Sequence, residues 1–149
     1  MLHVALWEPE IPPNTGNVAR LCAATGAALH LIGRLGFRLD DRSLRRAGLD
    51  YWREVQVRRH ATLADFEAVA PRVFCFSARA PLAYTAVHYE PGDCLLFGGE
   101  SHGLPDEVLA RHPGRALRIP MPAGKVRSLN LATAVGVALY EALRQLGAW

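Results

Sequence analysis

Short unbroken apolar runs recur along the chain, and between them apolar residues return at helical spacing. His3-Val4-Ala5-Leu6-Trp7 reads as a buried strand, and Val18, Leu21, Cys22 and Thr25 mark one face of a helix that Gly26 ends. Ala28 to Ile32 reads as a second strand, closed by Gly33. Asp41 to Ala47 follows as a short helix stopped by Gly48, and Glu54 to Arg58 as a modest strand. Thr62-Leu63-Ala64-Asp65 resembles a capping box opening a helix through Val69, which Pro71 terminates. Val73 to Ser77, Cys94 to Phe97 and Ala116 to Ile119 are further strands, with a short helix beginning near Pro105. The longest helix runs from Leu129 to Leu146 behind a Ser128 cap. Strands alternating with helices predict an α/β fold with a mostly parallel sheet flanked by helices. Without repeat or linker, residues 1–149 read as a single domain.

The last helix bears on assembly. Leu129, Ala132, Val135, Leu139, Leu143 and Leu146 form one stripe, while Leu131, Ala134, Ala138 and Ala142 make the opposite face apolar too. Such a helix needs cover on two sides, and a symmetric homodimer supplies it; burial within its own chain is the alternative.

Composition excludes several classes. The charge-free stretch Ser128 to Tyr140 is too short to span a bilayer, so no membrane is expected. The N-terminus carries no signal pattern, which makes a cytoplasmic location the expectation. Cys22, Cys75 and Cys94 sit in apolar runs without CxxC spacing and read as buried thiols. The histidines show neither HxxxH nor HxH spacing, so no metal is expected.

Net charge is +3, yet residues 34–60 hold eight arginines against four acids, leaving −1 for the rest. That patch, with Arg42, Arg45, Arg46, Arg58 and Arg59, suits a polyanion; a solvated charged face accounts for it equally well.

Three strand exits carry candidate chemistry. Glu8 to Arg20 leaves the first strand through Pro9, Pro12 and Pro13, with Asn14, Thr15 and Asn17 as candidate N-caps of an anion-attracting helix start. Arg20 then falls in the first turn, off the apolar stripe and against the helix dipole, a placement that suggests use. Cys94 to Pro105 is a strand entering a turn with Gly98, Gly99 and Gly103, which lets backbone approach a ligand closely. Ile119 to Asn130 repeats an extended exit, with Lys125, Arg127 and Ser128. Each alone reads as an ordinary turn or cap, and His102 as a surface residue. Together they lie beyond strand C-termini, where open α/β sheets bind ligands.

Glu8 to Arg20, Leu95 to Pro105 and Ile119 to Glu141 resemble the three motifs of the SPOUT class of RNA methyltransferases. Over nearly its whole length the chain resembles the small members that methylate the ribose 2′-OH of the tRNA wobble nucleotide, cytidine or modified uridine 34. The stretch Leu44 to Tyr51 is similar to that subgroup as well. The resemblance implies a C-terminal trefoil knot, which the ordinary rules of chain connection make very rare. It also implies a homodimer, S-adenosylmethionine as donor, and the anticodon stem-loop of tRNA as partner.

By motif position, Phe76, Gly98, Glu100, Ile119 and Ser128 would meet the cofactor. Arg20, Ser128 and Asn130 would be catalytic, with Asn14 shaping the pocket. Relatives often carry arginine where this chain has His102. No appended RNA-binding domain is expected, so Arg20, Arg42, Arg45, Arg46, Arg58 and Arg59 would bind RNA, and Tyr51 or Trp52 are candidates to stack on a base. A guanidinium is too basic to serve readily as a general base, so Arg20 better suits clamping a phosphate and stabilising the 2′-oxygen. Methylation at another tRNA or rRNA site, or a non-catalytic RNA-binding module, are the alternatives.

Overall fold

The computed structural model describes residues 1–38, 42, 52–70 and 72–149. Among these, seven strands form one sheet whose pairings are all parallel. In chain order they are β1 (His3–Trp7), β2 (Ala28–Ile32), β3 (Val57–His60), β4 (Val73–Phe76), β5 (Leu82–Ala83), β6 (Cys94–Gly98) and β7 (Ala116–Arg118). Helix α1 (Pro12–Thr25) follows β1, α2 (Leu63–Val69) follows β3, α3 (Asp106–Ala110) follows β6, and α4 (Leu131–Gln145) follows β7.

The sheet order is β3-β2-β1-β6-β4-β7-β5, so the chain leaves β1 toward one edge and later fills the other. β1 and β6 are neighbours, with Trp7 opposite Gly98, and their exits meet where the order reverses. β7 enters between β4 and β5, two strands laid down earlier.

Alternate strand residues feed two cores, as a sheet covered on both faces requires. Val4, Leu6, Leu29, Leu31, Phe74 and Leu95 pack toward α1 and α4. Ala5, Ile32, Val73, Cys75 and Leu96 pack toward Phe66 of α2 and Val108 of α3. The three cysteines are buried and free, and burial pushes each thiol up to about 12.

Within the second core His30 is buried, bonded through Nε2 to His3 Nδ1 and through Nδ1 to His60 Nε2, each at 2.9 Å. Phe66 meets His30 and His60 edge-on. Burial first, then the neighbouring His3, His60 and Arg58, lower His30 from 6.5 to about 4. No sequence spacing announced this row, because its members come from three strands.

Several boundaries differ from expectation. α1 begins at Pro12 with Ile11 as an N-cap that makes no side-chain bond, so Asn14, Thr15 and Asn17 are not caps. Pro12 and Pro13 occupy the first turn, where their missing N–H groups cost nothing and their fixed φ suits the helix. Arg20 therefore lies well inside α1, not in its first turn. The cap of α4 is Asn130, whose Oδ1 accepts from Thr133 N, and not Ser128. The strand expected at 54–58 is displaced to Val57–His60 by a 3₁₀ turn at Trp52–Glu54. Trp52 is half-buried against the first core. Thr62 does cap α2, accepting from Asp65 N. Apart from Arg42, the helix expected at 41–47 lies outside the described residues, as do the subgroup-like stretch 44–51, Arg45, Arg46, Tyr51 and Pro71.

Candidate active site

The exit of β1 turns sharply. Glu8 adopts a left-handed backbone, φ 51°, while its N–H donates to Ile32 O at 2.8 Å. For a residue with a Cβ that conformation costs about 1–2 kcal/mol and persists only where surroundings hold it. Here Glu8 Oε2 also accepts from Arg34 N at 3.1 Å.

The exit of β6 folds back on itself, with Gly103 N donating to Gly99 O at 2.9 Å. Two of its glycines allow close packing of backbone on backbone. A Cβ on Gly98 would lie 2.0 Å from Gly103 C, and one on Gly99 would lie 2.3 Å from Glu8 O. Gly98 thus lets the β6 exit fold back on its own backbone, and Gly99 lets that exit lie against the exit of β1, while both glycines also line the cavity.

Glu100 joins the strand exits. Its carboxylate accepts from Glu10 N at 2.8 Å, Ile11 N at 2.9 Å and Asn14 Nδ2 at 3.1 Å. It thereby satisfies backbone donors at the start of α1 that the helix itself leaves open. Asn14 Oδ1 in turn accepts from Asn130 Nδ2 at 3.0 Å. Asn14 is buried, so this chain of bonds is the inner wall of the site.

These loops enclose an open cavity of about 690 Å³. Phe76, Gly98, Glu100, Ile119, Ser128 and Asn130, all singled out from the sequence, line it together with Asn14 and His102. Phe76 stacks on Phe97 with ring centroids 4.6 Å apart, which sets its ring as a wall. Arg20 stands apart, exposed on α1 and outside the lining. Arg42, Arg58 and Arg59 are exposed, the last two on edge strand β3, where charged residues also discourage pairing with another chain.

Arg127, noted at the third strand exit, lines the cavity too, and so do Ser77, Arg79 and Met121, which the sequence had not singled out. Arg79 is aimed by Asp106 Oδ1 at 2.7 Å and Leu104 O at 3.3 Å. Ser77 and Arg79 follow β4, so the strand-exit rule covered them; no glycine or proline pattern drew attention there. The donor set is mixed: apolar Phe76, Ile119, Met121 and Leu129, backbone at Gly98 and Gly99, and cationic Arg79 and Arg127. Such a lining, at this volume, fits a ligand with an aromatic part and a charged polar part.

Residues 1–140 match the model of the SpoU rRNA Methylase family. The chain is 53% identical to a tRNA (cytidine(34)-2′-O)-methyltransferase of Aeromonas hydrophila, over 99% of this chain and 96% of that one. A solved structure described by the 2-OH methylation of C/U34 on tRNA superposes with a TM-score of 0.92 at 57% identity, covering 100% of this chain and 98% of that one. An AdoMet-bound rRNA methyltransferase from Sinorhizobium meliloti gives a TM-score of 0.82 at 35% identity, over 97% of this chain and 56% of that one.

Proposed function

The chain belongs to the SpoU rRNA methylase family, and from that premise we propose that it transfers a methyl group from S-adenosylmethionine to the ribose 2′-OH of tRNA nucleotide 34. The observation that carries this reading is the Glu100–Asn14–Asn130 chain of bonds, which draws the exits of β1, β6 and β7 around one cavity.

The cavity fits the cofactor. Phe76, Ile119 and Met121 offer apolar walls to an adenine ring, and Arg79 and Arg127 offer charge to a carboxylate. When bound, S-adenosylmethionine supplies an electrophilic methyl group for in-line displacement. Holding the acceptor oxygen in line with it contributes roughly 7–11 kcal/mol without a metal. Arg20, on the same helix as Asn14, clamps the adjoining phosphate and stabilises charge developing on the 2′-oxygen. Ser128 orients the donor from the β7 exit. Asn130 has both ends of its amide committed, to Asn14 and to Thr133 N, which suits holding the two loops in register.

Exposed Arg42, Arg58 and Arg59, with Arg45 and Arg46, position the anticodon stem-loop through its phosphates. The chain works as one domain in the cytoplasm. Insertion of β7 between β4 and β5 supports a path threaded as a trefoil knot. Exposed Val137, Tyr140 and Trp149 on and beside α4 support a homodimer. No helix among the described residues is long and apolar enough to cross a membrane.

The test is methylation of tRNA in vitro with labelled donor, followed by nucleotide-resolution mapping. Label at the 2′-oxygen of nucleotide 34 is expected; label elsewhere, or none, overturns the assignment.

A further inference from the structure

We propose that Glu10 is a positioning residue that holds the β6 exit in its donor-binding shape. The inference rests on the methyl-transfer reading above. Glu10 does not line the cavity, whereas Glu100 and Ser101 do. Both donors of Ser101 nevertheless end on the Glu10 carboxylate, N–H to Oε1 at 2.9 Å and Oγ–H to Oε2 at 2.7 Å. In exchange, the Glu10 N–H donates to Glu100 Oε1 at 2.8 Å. Each exit thus lends a carboxylate to the other's backbone, closing a ring of hydrogen bonds across two loops.

A charged tie is needed there because the turn has little shape of its own. Gly98, Gly99 and Gly103 flank Glu100 and Ser101, and Gly103 sits at φ 64°. Glycines leave such a turn many alternatives, which a charge-assisted pair of bonds removes. The Ser101 donors hold the Glu10 carboxyl below the usual carboxylate range, so the tie is ionised at neutral pH. Glu10 lies two residues before α1, so it also ties the donor loop to the entry of the helix that carries Asn14 and Arg20. A shift of the tie would disturb donor and acceptor geometry together.

The experiment is calorimetric titration of S-adenosylhomocysteine into the wild type and into Glu10→Ala, Glu10→Gln, Ser101→Ala and the Glu10→Ala/Ser101→Ala pair, with melting temperatures alongside. Glu10→Ala is expected to weaken binding about tenfold, the scale of a partly exposed bond to a charged group. Glu10→Gln keeps an oxygen for the Ser101 N–H but not the charge, and recovers part of the affinity. The pair is no weaker than Glu10→Ala alone. Wild-type affinity in Glu10→Ala, additive losses in the pair, or no rescue by Gln overturns the proposal. If Glu10→Ala does not fold, Ser101→Ala decides: a loss of about threefold supports the tie, and wild-type affinity overturns it. A wild type that neither binds S-adenosylhomocysteine nor methylates tRNA removes the functional reading itself, and this inference with it.

Discussion

Mild acid should destabilise this protein through His30. His30 is 4% exposed and is held near 4, against 6.5 for the free side chain. Above pH 6.5 the ring is neutral in both folded and unfolded chains, and its contribution to stability is fully present. As pH falls below 6.5 the unfolded chain binds a proton that the folded chain refuses, so stability is lost until pH 4. The full separation amounts to about 3 kcal/mol, of which about 2 kcal/mol has gone by pH 5. His3 and His60 are lowered as well, each first by burial, and add in the same direction. The lowered carboxylates, Glu10, Glu67 and Glu141, act only below their ordinary 4.5, which leaves pH 5 to 7.5 to the histidines. Urea unfolding at several pH values across that window, on the wild type and on His30→Gln, measures the effect. A wild type equally stable at pH 5 and 7.5, or a His30→Gln variant with the same pH slope, would rule out this role for His30.

Three further outcomes are expected. Gly98→Ala places a methyl 2.0 Å from Gly103 C, so the β6 exit must shift, and calorimetry should show S-adenosylhomocysteine binding weakened more than tenfold. Arg20→Lys should lower kcat for tRNA methylation at least tenfold while donor affinity is unchanged, since a point charge cannot replace a bidentate fork; near-normal turnover would count against the clamp. Charge reversal of Arg58 and Arg59 to Glu should weaken tRNA binding and flatten the logarithmic salt dependence by about 1 for each phosphate no longer neutralised, measured by filter binding at several salt concentrations.

Much of the site was legible through the family resemblance, whose motifs lie at strand exits. Phe76, Gly98, Glu100, Ile119, Ser128 and Asn130 were all named from the chain and all line one cavity. What misled was local capping logic at Asn14 and Ser128. A side chain of Asn or Ser before a helix ordinarily closes it, but two prolines already started α1, which freed Asn14 to bind Glu100 and Asn130. Arg79 stayed hidden because its role comes from Asp106, 27 residues away. The same holds for Glu10, whose partner Ser101 is 91 residues distant.

Residue order along the chain was enough to set the alternation of buried strands and amphipathic helices, and with it a parallel sheet covered on both faces. Periodicity is local: it records which side of each element meets apolar surroundings. Strand order, the insertion of β7 between β4 and β5, the His3–His30–His60 row and the Glu10–Ser101 tie were decided only in three dimensions. Each depends on which elements become neighbours, and that follows from packing the whole chain, not from the spacing within any one segment.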